Sequence, residues 1–234
     1  MYLKTLKKGK QMRYEEEMIQ PLKSFLINEF YLDAVTEEFT AGYGIADIVG
    51  IKYNYLKLKS RFNAGLKPVT NMRELSILEF LQRSNPSTIE DLAIKTGLSI
   101  SYIKTILIKS LIEKCYIEKK DNNYKLIRDI FSFTDLVISI EAKLSKWKKA
   151  LAQAKRYQHF SNIVFVALPK HIIKQINMEM FIRNNIGILS VGDTISIEFK
   201  PKHMKPKTFI MHLYCNEIFL EKQNSCERDH FRDI

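Results

Sequence analysis

Cysteine is scarce in this 234-residue chain. Cys115, Cys215 and Cys226 are scattered, odd in number and lack the spacing of a metal site, which points to free thiols in a reducing compartment. His171, His203 and His212 are equally dispersed and form no metal-spaced pair. No apolar run approaches the ~18 residues of a membrane-spanning helix. The opening stretch, MYLKTLKKGKQMRY, is basic without the apolar core of a signal peptide. These absences lead to the expectation of a soluble, cytoplasmic protein that engages no membrane. Negative charge is also in short supply: 37 Lys and Arg stand against 26 Asp and Glu, a net charge of +11. Such a surplus favours an anionic partner, nucleic acid first.

An apolar content of 46% is enough for a sizeable core and one or two domains. Lys4, Lys7, Lys8, Lys10 and Arg13 make the start a candidate phosphate-tracking arm or a solvated terminus. Residues 14–29 read as a first helix, with Met18, Ile19, Leu22, Phe25 and Leu26 at helical spacing and Glu15 extending the same stripe. Pro21 is expected to kink that helix or delay its start. Residues 35–41 and 44–52 read as two strands around a Gly42-Tyr43-Gly44 turn. The second strand is apolar except for Asp47, and a carboxylate in such a place needs a partner. After Tyr53 the pattern breaks into a linker with a short strand at Tyr55 to Leu58.

Residues 72–127 look like a separate unit. A helix with Leu75, Leu78, Phe80 and Leu81 ends at Asn85-Pro86-Ser87. A second follows, capped by Thr88 or Ser87 with Glu90 or Asp91 in its first turn, and stops at Gly97. Ser99 opens a third, with Ile103, Ile106, Leu107 and Leu111 facing inward, and two short strands flank Asp121-Asn122-Asn123. Three helices and a hairpin in this order resemble a winged helix-turn-helix domain. The resemblance implies that the third helix can enter a major groove. Its outward residues are Ser99, Ser101, Tyr102, Lys104, Thr105 and Lys109, and the wing adds Lys119, Lys120 and Lys125. The unit has nine Lys or Arg against seven Asp or Glu, so contact with a protein partner stands beside contact with nucleic acid.

The chain is organised around Val137 to Pro169. A strand ends in Glu141-Ala142-Lys143, a helix follows, and an apolar strand runs from Ile163 to Leu168. Side chains two apart on a strand share a face, so Glu141 and Lys143 stand together at the sheet's mouth, where such a pair can hold a divalent metal and a water. Across 143–160, Lys143, Lys146, Lys148, Lys149, Lys155 and Arg156 meet no acid, which suits a phosphate backbone. Strand, helix and strand continue over 163–168, 170–184 and 186–191, then ISIEFKPKHMKPK reads as a last strand and basic tail. Residues 208–221 suit an apolar helix or strand.

Asp47, Glu141-Ala-Lys143 and Gln153-x-x-x-Tyr157, after a Glu-bearing first helix, resemble the PD-(D/E)XK nuclease superfamily, the fold of many restriction endonucleases and Holliday-junction resolvases. The resemblance covers residues 12–52 and 133–200, and Ala46 stands where many members have proline. It implies a metal-dependent endonuclease. Asp47, Glu141 and the Ala142 carbonyl would hold Mg²⁺ or Mn²⁺, and Glu15, with Glu17 as second choice, would assist. Lys143 would position the attacking water and stabilise charge, and Gln153 would orient water or substrate. Nucleic acid, DNA ahead of RNA, would lie along Lys146, Lys149 and Arg156 and on Ser101, Tyr102, Lys104, Thr105, Lys109 and Lys120. The expected fold is an α/β, restriction-endonuclease-like mixed sheet flanked by helices, with an inserted, mainly α winged helix. The expected domains are 1–70 and 129–234 for the core and 71–128 for the insert. The rival reading is a non-catalytic nucleic-acid-binding regulator, or a subunit of a defence or restriction complex, using the fold as a scaffold. A homodimer or a partner protein fits either reading.

Overall fold

The structure is a computed structural model that describes residues 14–40, 42, 44–84 and 86–226. The basic stretch 1–13, Tyr43 of the expected turn and Asn85 of the expected helix stop lie outside the described residues. The chain divides into two compact units, one made of Met1–Tyr53 and Thr134–Phe209, the other of Asn54–Phe133 and Ile210–Ile234.

The first unit opens with α1 (Glu16–Phe30), whose Met18, Leu22 and Leu26 are buried. Pro21 neither delays nor ends this helix. A helix-interior proline costs ~3 kcal/mol, whereas burying three large apolar side chains is worth roughly 1.5–3 kcal/mol each, so packing wins. β1 (Ala34–Thr40) and β2 (Ile45–Tyr53) then pair antiparallel, from Ala34↔Ile51 to Thr40↔Ile45. Gly44, with φ +118°, leads into β2.

The second unit begins at once. The expected strand over Tyr55–Leu58 is instead the first half of α2 (Tyr55–Asn63), because the Asn54 side chain accepts from the Lys57 N–H at 3.1 Å and closes the helix start. α3 (Met72–Arg83) follows, capped by Asn71, then β3 (Ser87–Thr88) and α4 (Ile89–Thr96). Thr88 and Asp91 cap α4 reciprocally, and Gly97 ends it at φ +67°. The third long helix is α5 (Ile100–Tyr102), a π-helical stretch (Ile103–Ile108) and α6 (Lys109–Glu113). A π turn takes in an extra residue, which shifts the buried set to Ile103, Leu107, Ile108 and Leu111. Ile106, expected inward, is 52% exposed as a result. β4 (Ile117–Lys120) and β5 (Asn123–Leu126) form a hairpin around Asp121, at φ +55°, and β3 adds to β5.

The chain then returns to the first unit through β6 (Thr134–Ala142), α7 (Trp147–Tyr157) and β7 (Ile163–Pro169). The helix expected over 170–184 is broken into a 3₁₀ turn (Lys170–Gln175) and α8 (Met178–Arg183), because the Asn177 side chain starts a new helix by accepting from Met180 N–H. β8 (Gly187–Val191) and β9 (Ile195–Phe199) complete a six-stranded sheet of order β1-β2-β6-β7-β8-β9. β6, β7 and β8 run parallel, while β1, β2 and β9 are antiparallel to their neighbours. The unit is therefore a mixed α/β sheet flanked by helices. Met18, Leu22 and Leu26 of α1 pack with Ile48, Ile138, Ile140 and Ala142 on one face. Ser139 and Glu141 alternate with those residues and point to the other face, where α7 buries Ala150, Leu151, Ala154 and Tyr157.

α9 (Phe209–Cys226) is the last element of the described residues. Expected with the core, residues 54–70, 129–133 and those from Ile210 on belong instead to the second unit. Leu213 is buried there among Leu66, Val69 and Leu75, and Glu217 bonds the Arg61 guanidinium at 2.7 Å and the Val69 N–H at 2.9 Å.

Candidate active site

The antiparallel register of β2 and β6 pairs Ile48 with Ile140, so the next step along each strand brings Asp47 beside Glu141. Parallel pairing then fixes the strand end, because the Lys143 N–H donates to the Ala167 carbonyl at 3.0 Å. Glu15, at the residue before α1, comes over the same edge: its Oε1 accepts from the Leu144 N–H at 3.4 Å. Three carboxylates from separate elements thus meet one lysine.

Lys143 Nζ is the centre of the group. It lies 2.8 Å from the Ala142 carbonyl oxygen, 2.8 Å from Glu141 Oε1, 3.2 Å from Glu15 Oε2 and 3.4 Å from Asp47 Oδ2. Asp47 Oδ2 also accepts from the Ala142 N–H at 2.7 Å. Glu141 is fully buried, and its Oε1, although within ion-pair distance of Lys143, completes no hydrogen bond of good geometry. Glu141 Oε2 meets the Tyr157 hydroxyl at 2.5 Å, and that hydroxyl lies 2.6 Å from the Ile45 carbonyl oxygen.

Burial pushes the Glu141 and Asp47 carboxyls above their ordinary pKa values, against the opposing pull of Lys143. Burial also works against the Lys143 ammonium. The bond to Glu141 and the charges of Asp47, Glu141 and Glu15 outweigh it and hold the lysine pKa above its usual value. With those carboxylates around it, the lysine is held in its ammonium form.

Among the described residues no group of three or more His, Cys, Asp or Glu stands as a metal cage. The donors around Lys143 Nζ are nevertheless the hard oxygens, two strand carboxylates and a backbone carbonyl, that Mg²⁺ or Mn²⁺ takes. The buried Glu141 Oε1 faces Lys143 Nζ at 2.8 Å without completing a hydrogen bond of good geometry. On donor chemistry the residues fit a divalent ion, with the ammonium of Lys143 lying among the same oxygens.

The structure brings together Glu15, Asp47, Glu141, Ala142 and Lys143. Gln153 lies on α7 with its side-chain Oε1 buried and without a hydrogen-bond partner. One turn later, the Tyr157 hydroxyl meets Glu141. The signal was the buried stripe of α7, which ends on Tyr157, whereas Gln153 is only half-buried. Lys146, Lys149 and Arg156 are exposed, and the Arg156 guanidinium carbon lies 3.7 Å from where a Cβ on Gly44 would stand. In the second unit Ser101, Lys104, Thr105, Lys109 and Lys120 are exposed, and Tyr102 is half-buried beneath Arg73.

No family model and no curated protein matches this chain. Among solved structures, a protein of unknown function from Silicibacter pomeroyi aligns at 15% identity and a TM-score of 0.29, over 38% of this chain and 60% of that one. A likeness of that size carries no argument about fold or function.

Proposed function

We propose that the chain is a metal-dependent nuclease of the restriction-endonuclease-like kind, acting on phosphodiester bonds, with DNA the first substrate to test. The observation that supports this reading is the convergence of Asp47, Glu141, Glu15 and the Ala142 carbonyl on Lys143 Nζ. Glu141 is fully buried and Lys143 largely so, and placing charged groups there costs hydration.

Asp47, Glu141 and the Ala142 carbonyl would hold Mg²⁺ or Mn²⁺, with Glu15 reaching the group from the start of α1. The ion would supply charge neutralisation at the scissile phosphate and acidify a bound water. Lys143 would supply a positive charge beside the scissile phosphate as negative charge develops in the transition state. Tyr157 holds Glu141 in orientation. The acid-free face of α7, with Lys146, Lys149 and Arg156, would lie along the phosphate backbone. The order of α3, α4, the α5–α6 helix and the β4–β5 hairpin supports the winged-helix reading of the second unit, whose exposed lysines would add substrate contacts.

The test is Mg²⁺- or Mn²⁺-dependent cleavage of plasmid, single-stranded and branched DNA and of RNA. Wild type is run beside Lys143→Ala and Asp47→Ala, with circular dichroism as the folding control. Wild type should cleave at least one substrate, and each variant should lose about a hundredfold or more. Binding without cleavage on every substrate would turn the reading to the scaffold or regulator role. In that case the charge cluster serves the fold.

A further inference from the structure

A cavity of about 450 Å³ opens on the second unit. It lies between α3 and the end of α4, and its volume is in the range of small-ligand sites. Phe80 and Leu98 give it an apolar side. Arg73, Arg83 and Lys95 give it three positive charges, and Glu79 is the single acid of the lining.

These charges are not equivalent. Glu79 is held by Arg83 at 2.8 Å, one turn along α3. Among the described residues Arg73 and Lys95 pair with no carboxylate. Arg73 rests over the Tyr102 ring at 5.4 Å, which orients the guanidinium without neutralising it. Lys95 stands in the last turn of α4 and offsets the negative end of that helix. The hydroxyls of Ser76 and Thr96 already donate to the Met72 and Leu92 carbonyls, at 2.8 and 2.7 Å, so capture of an anion falls to the cations.

We infer that this cleft binds a nucleoside phosphate, with the terminal phosphate between Arg73 and Lys95 and the base against Phe80 and Leu98. A phosphate monoester carries nearly two negative charges at neutral pH, against one for a backbone diester. Two unpaired cations match the monoester. An apolar wall beside them suits the face of a base, as stacking sites do. The ligand is either a free mononucleotide or the phosphorylated end of a strand. The inference stands apart from the reading of the carboxylate site and survives that reading's failure.

The test is calorimetric titration of the full chain with adenosine 5′-monophosphate and adenosine. A short single-stranded oligonucleotide, with and without a 5′-phosphate, is titrated in parallel. The phosphorylated probe should bind at least about tenfold more tightly than its unphosphorylated counterpart. Arg73→Ala combined with Lys95→Ala should abolish that preference. Lys57→Ala combined with Lys174→Ala, exposed lysines outside the cleft, should keep it. A preference seen with the mononucleotide assigns the site to free nucleotide, and one confined to the oligonucleotide assigns it to a strand end. Absence of binding, equal binding with and without phosphate, or a preference that survives the double substitution overturns the inference.

Discussion

Tyr157 and Glu141 meet hydroxyl to carboxylate at 2.5 Å, with the Ile45 carbonyl 2.6 Å from the same hydroxyl. A phenol has one proton and here faces two acceptors. Its donation to Glu141 Oε2 favours the ionised carboxylate, against the burial that raises the Glu141 pKa.

This arrangement makes Tyr157→Phe informative. It deletes the hydroxyl and leaves both the Ile45 carbonyl and Glu141 Oε2 short of a bond in a buried place. The unfolding free energy should fall by ~1–3 kcal/mol, read by urea unfolding with unchanged secondary structure. A variant as stable as wild type would mean that the hydroxyl does not hold Glu141.

The second unit contains a pH-dependent element of its own. Burial pushes the Glu217 carboxyl up to about 7, from an ordinary value of 4.5, despite its bond to Arg61. A raised folded-state pKa means that the folded protein holds the proton more tightly than the unfolded chain. The contribution is therefore fully present below about 4.5 and lost as pH rises through about 7. The shift corresponds to roughly 3 kcal/mol. Glu217→Gln keeps an acceptor for Arg61 and removes the titration. The stability difference between wild type and variant should change by about that amount between the two pH limits, measured by urea unfolding at a series of pH values. Parallel curves for the two proteins would refute it.

Gly187 tests the packing of the central sheet. A Cβ there would stand 2.6 Å from Pro201 Cδ and closer still to the Phe165 ring. Gly187 pairs with Phe165 in the β7–β8 register, so neither strand can slide away without losing its ladder. Gly187→Ala should cost ~1–3 kcal/mol, seen as a lower thermal midpoint. An unshifted midpoint would show that the Phe165 ring relaxes freely.

The sequence by itself determined which charged residues break the apolar pattern of the core strands. Asp47, Glu141 and Lys143 stood out because charges inside or at the end of apolar strands violate the surrounding pattern, and alternation along a strand sets their facing. It also determined the mixed α/β class, the Thr88–Asp91 cap and the hairpin at Asp121, since each follows from a few neighbouring residues. Only the tertiary structure decided the rest. Pro21 remains inside α1 because distant apolar partners outweigh a local penalty. Ile106 turned outward because a π turn advances the register, which no periodicity count foresees. α9 joined the second unit through Glu217 and Arg61, 156 residues apart. Tyr157 reached Glu141 because which residue of a helix meets a strand depends on the rotation of that helix against the sheet. Local pattern specifies elements and their faces. Which side chains finally touch is set by packing between segments far apart in the chain.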